Sequence, residues 1–214
     1  SGVILAAGKG TRMKSDLPKV LHSVLGKPMI TYGQNAIKHL NNKYVVVGHQ
    51  SDLVIKELAN EFKPVIQEEQ LGTGHAVLTL LNSNEFINDD SDYIVIIPGD
   101  APLLLKESID ELISESTKRS VALGIITAEV SNPSGYGRII KDGNTISKIV
   151  EESDSSEAEQ KINEINSGMY CFNKSFLLEN IKTLNSNNEQ NEIYLTDLIE
   201  IAFQNNLDTV IVQV

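Results

Sequence analysis

The sequence predicts a doubly wound, largely parallel α/β core. Three observations carry that prediction. Apolar runs of strand length alternate with amphipathic stretches of helical length along 214 residues, the strand runs are continuously apolar, and neither an internal repeat nor a long linker breaks the series. A strand that is apolar at every position needs cover on both faces, which crossover helices give a parallel sheet. Ligands of such sheets sit at the carboxyl ends of the strands.

V-I-L-A-A at 3–7 reads as the first strand, followed by a helix near 29–40 and the strand Y-V-V-V-G at 44–48. A helix near 51–62, a short strand P-V-I-Q at 64–67 and a helix at 73–81 come next. Then follow the strand Y-I-V-I-I at 93–97, a helix near 106–118 and the strand V-A-L-G-I-I-T at 121–127. From Pro133 the pattern changes: G-Y-G-R-I-I, a D-G-N turn and T-I-S-K-I-V-E read as a hairpin. The polar stretch E-E-S-D-S-S-E-A-E-Q is an exposed loop or helix start to which no chemistry is assigned. I-N-S-G-M-Y-C-F returns to the sheet as a strand, a helix follows near 174–183, and the Asn-rich run 185–191 is a solvated connection. A helix near 195–205 and the strand T-V-I-V-Q end the series.

With 41% hydrophobic and 22% charged residues, the composition excludes a disordered chain. No apolar run approaches the ~20 residues a bilayer span needs, and no charged-then-apolar leader precedes the first strand, so a cytoplasmic protein without membrane insertion is expected. The one cysteine, Cys171, lies in a strand-like run and is expected to be a buried structural thiol. A net charge of −11 argues against nucleic acid as a partner. Residues 9–19 are a local exception: Lys9, Arg12, Lys14 and Lys19 are offset by one acid, Asp16.

That basic segment directly follows the first strand, as L-A-A-G-K-G-T-R, with Pro18 and Lys19 beyond it. Gly8 and Gly10 can adopt backbone angles closed to other residues and leave main-chain N–H groups open to an anion, while Arg12 and Lys19 supply fixed positive charge. The combination points to a nucleotide phosphate. It is not a Walker loop, since no Gly-Lys-Ser/Thr closes it, and Met13 stands where a dinucleotide fingerprint has its third glycine. Asp100 ends the 93–97 strand through Pro98 and Gly99, which puts a carboxylate on the ligand edge and makes it the first choice for a magnesium ligand. In Q-E-E-Q-L-G-T-G-H-A, amides exposed by Gly72 and Gly74 are placed to face a base or ribose, and the Gln67 amide has both a donor and an acceptor. His75 reads as a packing or hydrogen-bonding residue.

Taken in order, L-A-A-G-K-G-T-R-M, P-K-V-L, Q-E-E-Q-L-G-T-G-H-A, G-D-A-P-L, G-Y-G-R-I, I-V-E, E-I-N-S-G and Y-L-T-D resemble the uridylyltransferase domain of bacterial bifunctional N-acetylglucosamine-1-phosphate uridylyltransferase/glucosamine-1-phosphate acetyltransferases. The resemblance covers nearly the whole chain and implies a single domain over 1–214. It implies a Rossmann-like nucleotidyltransferase fold with a mixed, mostly parallel central sheet, helices on both faces and an inserted β-hairpin. It further implies transfer of a uridylyl group from UTP to N-acetylglucosamine 1-phosphate for cell-wall precursor synthesis. By the same resemblance Leu5, Ala6, Gly8, Gly10, Thr11, Gln67, Gly72 and Thr73 hold the nucleotide, and Arg12 and Lys19 act on its phosphates. Asp100 binds Mg2+, and Gly137, Glu151, Asn166, Tyr194 and Thr196 line the sugar-phosphate pocket. Full-length relatives form homotrimers.

Two departures stand out. Pro98 occupies a position where many relatives carry an aromatic residue, which leaves the backbone setting of Asp100 open. The sequence also stops at Val214, before the segment in which the family carries a second magnesium ligand, an asparagine, and before its left-handed β-helix acetyltransferase domain. The chain is therefore expected to be a fragment. The alternatives are a nucleotidylyltransferase for another sugar 1-phosphate, or a fragment that binds nucleotide with little turnover.

Overall fold

The computed structural model describes every residue except Lys9, Thr11 and Arg12. In chain order the elements are β1 (Gly2–Ala6), a small ribbon of β2 (Ser23–Val24) and β3 (Lys27–Pro28), α1 (Met29–Ile37), β4 (Lys43–Val47), α2 (Ser51–Ile55), β5 (Lys63–Ile66), α3 (Thr73–Leu81) and β6 (Tyr93–Pro98). There follow α4 (Lys106–Arg119), β7 (Leu123–Glu129), β8 (Arg138–Asp142), β9 (Thr145–Val150), β10 (Glu164–Asn173), α5 (Lys174–Asn180), α6 (Asp197–Gln204) and β11 (Thr209–Gln213). Among the described residues nine strands form one sheet whose main row runs β11-β7-β10-β6-β1-β4-β5, with the β8–β9 hairpin joined to β10. The pairs β1–β4, β1–β6, β4–β5 and β7–β11 are parallel, whereas β10 lies antiparallel between β6 and β7. The mostly parallel sheet with an inserted hairpin is as the sequence predicts.

Successive strand side chains point to opposite faces, so each continuously apolar strand feeds two cores. Val3, Val46, Ile94, Ile96, Ile125 and Phe172 pack with Ala76, Val77 and Leu80 of α3, Phe176 and Leu177 of α5, and Leu198 and Ala202 of α6. Ile4, Val45, Val47, Val95, Ile97, Ile126 and Cys171 pack with Ile30 and Ile37 of α1, Val54 of α2, and Ile109 and Leu112 of α4. Burial pushes the Cys171 thiol up to about 11, consistent with an inert structural role. No helix among the described residues is long and apolar enough to cross a membrane.

The helix expected over 51–62 stops at Ile55 because a neighbouring side chain takes the backbone groups it would need. The buried Gln34 amide accepts from Ala59 N–H at 2.7 Å and donates to the Glu57 carbonyl at 3.0 Å. The helix expected near 174–183 is α5 continued by a 3-10 turn, Ile181–Thr183, and that expected near 195–205 begins at Asp197. The polar stretch after β9 forms two 3-10 turns, Glu152–Asp154 and Glu159–Lys161.

β1 sits between β4 and β6, so strand order reverses there and the carboxyl ends of β1 and β6 flank a crevice. Gly99 N–H closes its base by donating to Leu5 O at 2.9 Å. The helix behind it depends on ordinary core packing: Leu112 of α4 is fully buried, its Cδ1 lying 2.9 Å from where a Cβ on Gly124 would stand. Leu112→Ala is expected to lower unfolding free energy by about 2–5 kcal/mol, read from the shift of the urea midpoint at unchanged slope.

Candidate active site

At the exit of β1, Gly8 is exposed, and no atom of the described residues lies within 4 Å of where a side chain would project. Gly10 has φ +60, and a Cβ there would come within 2.8 Å of Lys19 Cβ, so only glycine lets this loop lie against Lys19. From the other side, a Cβ on Gly99 would meet Val20 Cγ1 at 3.0 Å and Leu5 O at 3.1 Å. The 3-10 turn Lys19–Leu21 is thereby pressed into the crevice between β1 and β6. There Lys19 Nζ forms an ion pair with Asp100 Oδ2. Leu5, Ala6, Gly8, Gly10, Lys19 and Asp100 thus gather at one edge; the predicted site residues Thr11 and Arg12 lie outside the described residues. Pro98 is the last residue of β6, paired in register with Leu5, so its missing N–H falls at a strand end and Asp100 follows in a turn.

A second loop leaves β5. Gln67 is buried, held by its N–H on Val47 O at 2.7 Å, and its Nε2 donates to Gly72 O at 3.3 Å and to His75 Nδ1 at 2.8 Å. The sequence reading offered both ends of this amide to a ligand; its nitrogen is engaged within the protein, which leaves Oε1. His75 fills the hydrogen-bonding role expected of it, with its proton on Nε2 if Nδ1 accepts. Gly72 has φ +106, and a Cβ there would lie 2.5 Å from Ile193 O. The turn is stitched to the segment before α6: Ile193 N–H donates to Leu71 O at 2.7 Å, Gly74 N–H to Ile193 O at 2.8 Å, and Leu195 N–H to Thr73 Oγ1 at 3.0 Å. The Gly74 amide, expected to face a ligand, is therefore spent on Ile193, and the Thr73 hydroxyl also serves as an anchor.

The third group comes from the hairpin, β10 and the segment entering α6. Asn166 N–H donates to Gly137 O at 2.9 Å, and a Cβ on Gly137 would stand 3.3 Å from Glu151 Oε2 and 3.5 Å from Asn166 Cβ. Thr196 Oγ1 donates to Glu151 Oε1 at 3.4 Å. Asn166 is fixed by Gly168 N–H donating to its Oδ1 at 2.9 Å, and its Nδ2 donates to the Tyr170 hydroxyl at 2.7 Å. Gly137, Glu151, Asn166 and Thr196 therefore meet, although they span sixty residues of chain. The Tyr194 hydroxyl turns instead to Asp154 Oδ2, at 3.2 Å. The sequence reading missed Asp154, Asp197 and the buried Arg138, which pairs with Glu152 at 2.6 Å. Asp154 stands in a polar stretch that carries no period, whereas Arg138 and Asp197 lie in G-Y-G-R and Y-L-T-D, where roles were assigned to their neighbours and not to them.

Charge divides this edge. Lys19 occupies one end, while the other collects Glu151, Asp154, Glu192 and Asp197. Burial raises the Glu151 carboxyl, Thr196 opposes the rise, and Asp154, Asp197 and Glu192 add to it. Burial, with Glu200 and Asp154, lifts Asp197 to about 6. A carboxyl raised in the folded state stabilises below its unfolded pKa and loses that contribution as pH climbs through the folded value. Asp197→Asn stays neutral throughout, so its thermal midpoint relative to the parent is expected to rise between pH 4 and pH 7, with little difference at pH 4.

A family model described as nucleotidyl transferase matches residues 1–213. The chain is 46% identical over 200 residues to the bifunctional protein GlmU of Fervidobacterium nodosum, which covers 94% of this chain and 43% of that relative. Against the protein of the same name in Desulfotalea psychrophila it is 44% identical over 205 residues, 94% of this chain and 59% of that one. It thus spans about half the length of these relatives. The solved structure of a UDP-glucose pyrophosphorylase complexed with UDP-glucose superposes with a TM-score of 0.75 at 19% identity, over 98% of this chain and 89% of that one, a likeness of fold. With a sheet that reverses at a glycine-lined crevice, and a family match over essentially its whole length, the chain belongs to the nucleotidyl transferase family.

Proposed function

We propose that this chain transfers the uridylyl group of UTP to N-acetyl-α-D-glucosamine 1-phosphate, giving UDP-N-acetylglucosamine and pyrophosphate as part of cell-wall precursor supply. The observation that carries the reading is the Lys19–Asp100 pair at the strand-order reversal, on the same sheet edge as the Gly137, Glu151, Asn166 and Thr196 cluster. Its names come from relatives called GlmU at 44–46% identity. An oxygen of the acceptor phosphate bonds to the α-phosphorus, the bond to the oxygen bridging α and β breaks, and pyrophosphate departs with its electrons. The second pKa of such a monoester is about 6, so the attacking group is already dianionic at neutral pH and no protein base is required.

The chain's own work is alignment and charge neutralisation. Gly8 and Gly10 let main-chain amides approach the phosphates, and Lys19 exchanges its ion pair with Asp100 for phosphate oxygens. The charge of Arg12 is assigned to neutralising what develops on pyrophosphate. Gln67 Oε1 accepts from N3–H of uracil; cytosine presents a lone pair there and is refused. Glu151 accepts from hydroxyls of the sugar, with Thr196 and Asn166 fixing its surroundings. Asp100 offers one carboxylate beside Lys19, and magnesium takes few protein carboxylates together with water and substrate phosphate oxygens, so this residue would fit it. Asp100 would hold a bound Mg2+, which would supply further charge neutralisation.

Magnesium-dependent pyrophosphate release from UTP and N-acetylglucosamine 1-phosphate tests the reaction. Arg12→Ala is expected to lower turnover by about 10^2-fold or more, the scale of one lost electrostatic donor, and near-normal turnover would refute the assignment. Gln67→Ala is expected to narrow the preference for UTP over CTP by at least about tenfold in kcat/KM, because the group that refuses cytosine is gone.

A further inference from the structure

Two segments far apart in sequence meet at one exposed carboxylate. Asp154 lies in the 3-10 turn Glu152–Asp154, three residues beyond Glu151. Its Oδ1 accepts from Glu189 N–H at 2.9 Å, and its Oδ2 accepts from the Tyr194 hydroxyl at 3.2 Å and from Ser153 Oγ at 3.0 Å. The turn itself is anchored, because Glu152 pairs with Arg138, a side chain 1% exposed at the start of β8. The segment it reaches has no helix or strand between residues 184 and 196 and organises itself only locally, with Asn188 Nδ2 donating to Glu192 O at 2.6 Å and Glu192 N–H donating to Asn188 Oδ1 at 3.2 Å. That segment delivers Thr196 to Glu151 and sets the Tyr194 ring beside it through Asp154, and its later part is tied to the fold by the bonds to the 71–74 turn and by Leu195 in the core.

We propose that Asp154 is a positioning residue that latches the 188–194 segment against the Glu151 turn and so sets the shape of the pocket for the acceptor sugar. The inference rests on the proposed function in taking that pocket as the acceptor's. Asp154 touches neither the Lys19–Asp100 end nor the Gln67 turn, and the bonds of Ile193 and Leu195 to residues 71–74 form without it, so losing the latch loosens the acceptor side while the nucleotide turn keeps its own anchors. Its two oxygens divide the labour: one fixes the backbone at Glu189, the other the ring of Tyr194.

Pyrophosphate-release kinetics give separate constants for the two substrates. Asp154→Ala is expected to raise KM for N-acetylglucosamine 1-phosphate roughly tenfold, about the value of one charge-assisted hydrogen bond, with kcat and KM for UTP within about twofold of the parent. Asp154→Asn keeps an oxygen for Glu189 N–H and offers its amide nitrogen to the Tyr194 oxygen, and is expected to restore the acceptor KM. An Ala variant that weakens both substrates equally, or an Asn variant as impaired as Ala, overturns the latch. Amide hydrogen exchange reads the same device without turnover: Glu189 N–H is expected to be protected in the parent and Asn proteins and to exchange fast in the Ala protein. Free exchange at Glu189 in the parent overturns the latch. A parent protein that releases no pyrophosphate overturns the proposed reaction instead, and exchange at Glu189 then decides the latch by itself.

Discussion

The stitch between residues 71–74 and 193–195 is the constraint on which the candidate site rests. Each of its bonds is worth only about 1 kcal/mol net, but the groups involved lie in a crowded seam where an unmet donor costs more than a met one gains. The seam is crowded because Gly72 and Gly74 have no side chains: Cβ atoms there would meet Ile193 backbone or side-chain atoms at 2.5 and 2.7 Å. Two glycines therefore admit a stretch of backbone some 120 residues later in the chain, and Thr73 pins it through Leu195 N–H. The turn that carries Gln67 is thereby joined to the chain just before Thr196. A nucleotide half and an acceptor half built on independent loops would need alignment for every encounter, whereas here the relation is fixed by folding.

Polarity does the rest of the orienting. A protein of net charge −11 repels an anionic substrate except where cations are concentrated, and residues 9–19 are that place. The far end of the same edge carries Glu151, Asp154, Glu192 and Asp197, raised toward neutrality by burial and by one another at Glu151 and Asp197. An anionic group entering this field is drawn toward Lys19, and hydroxyl groups toward the acceptor oxygens of the other end. Lys19 is already paired with Asp100, so its charge is satisfied before any substrate arrives, and a triphosphate must compete for it. That competition favours ligands carrying several charges over single phosphates.

What the sequence made legible was whatever is encoded locally. Continuous apolar strands announced a sheet covered on both faces, and residues following a strand, such as Gly8 and Asp100, could be placed on the ligand edge before their neighbours were known. The Gly137, Glu151, Asn166 and Thr196 group was legible only through family resemblance, because nothing in the spacing of four residues on four segments says that they meet. Fully hidden were contacts decided by tertiary packing. Gln34 ends α2 from another helix, Arg138 is buried because Glu152 returns to it, and Asp154 gathers partners 35 and 40 residues away. Gln67 shows the same limit within a correct placement: its position at the strand exit was readable, but the loss of its amide nitrogen to Gly72 and His75 was not.

The antiparallel β10 explains how the two ends of the site share one edge. Parallel strands bring their carboxyl ends to the ligand side, so a parallel strand between β6 and β7 would bring residues such as Phe172 and Asn173 there and bury Asn166 at the opposite edge. Reversed, β10 brings its beginning to that side. Its pairing with β7 shifts register between Asn166 and Tyr170, and Gly168, at φ +78, takes the irregular backbone that the shift requires. The bulge turns the chain so that Gly168 rests against Pro98, with 3.6 Å between Pro98 Cγ and the place of a Gly168 Cβ, two residues from Asn166 on one side and two from Asp100 on the other. One reversed strand with one bulge thus brings Asn166 to the edge that carries Asp100, a juxtaposition that no all-parallel ordering of these strands would produce.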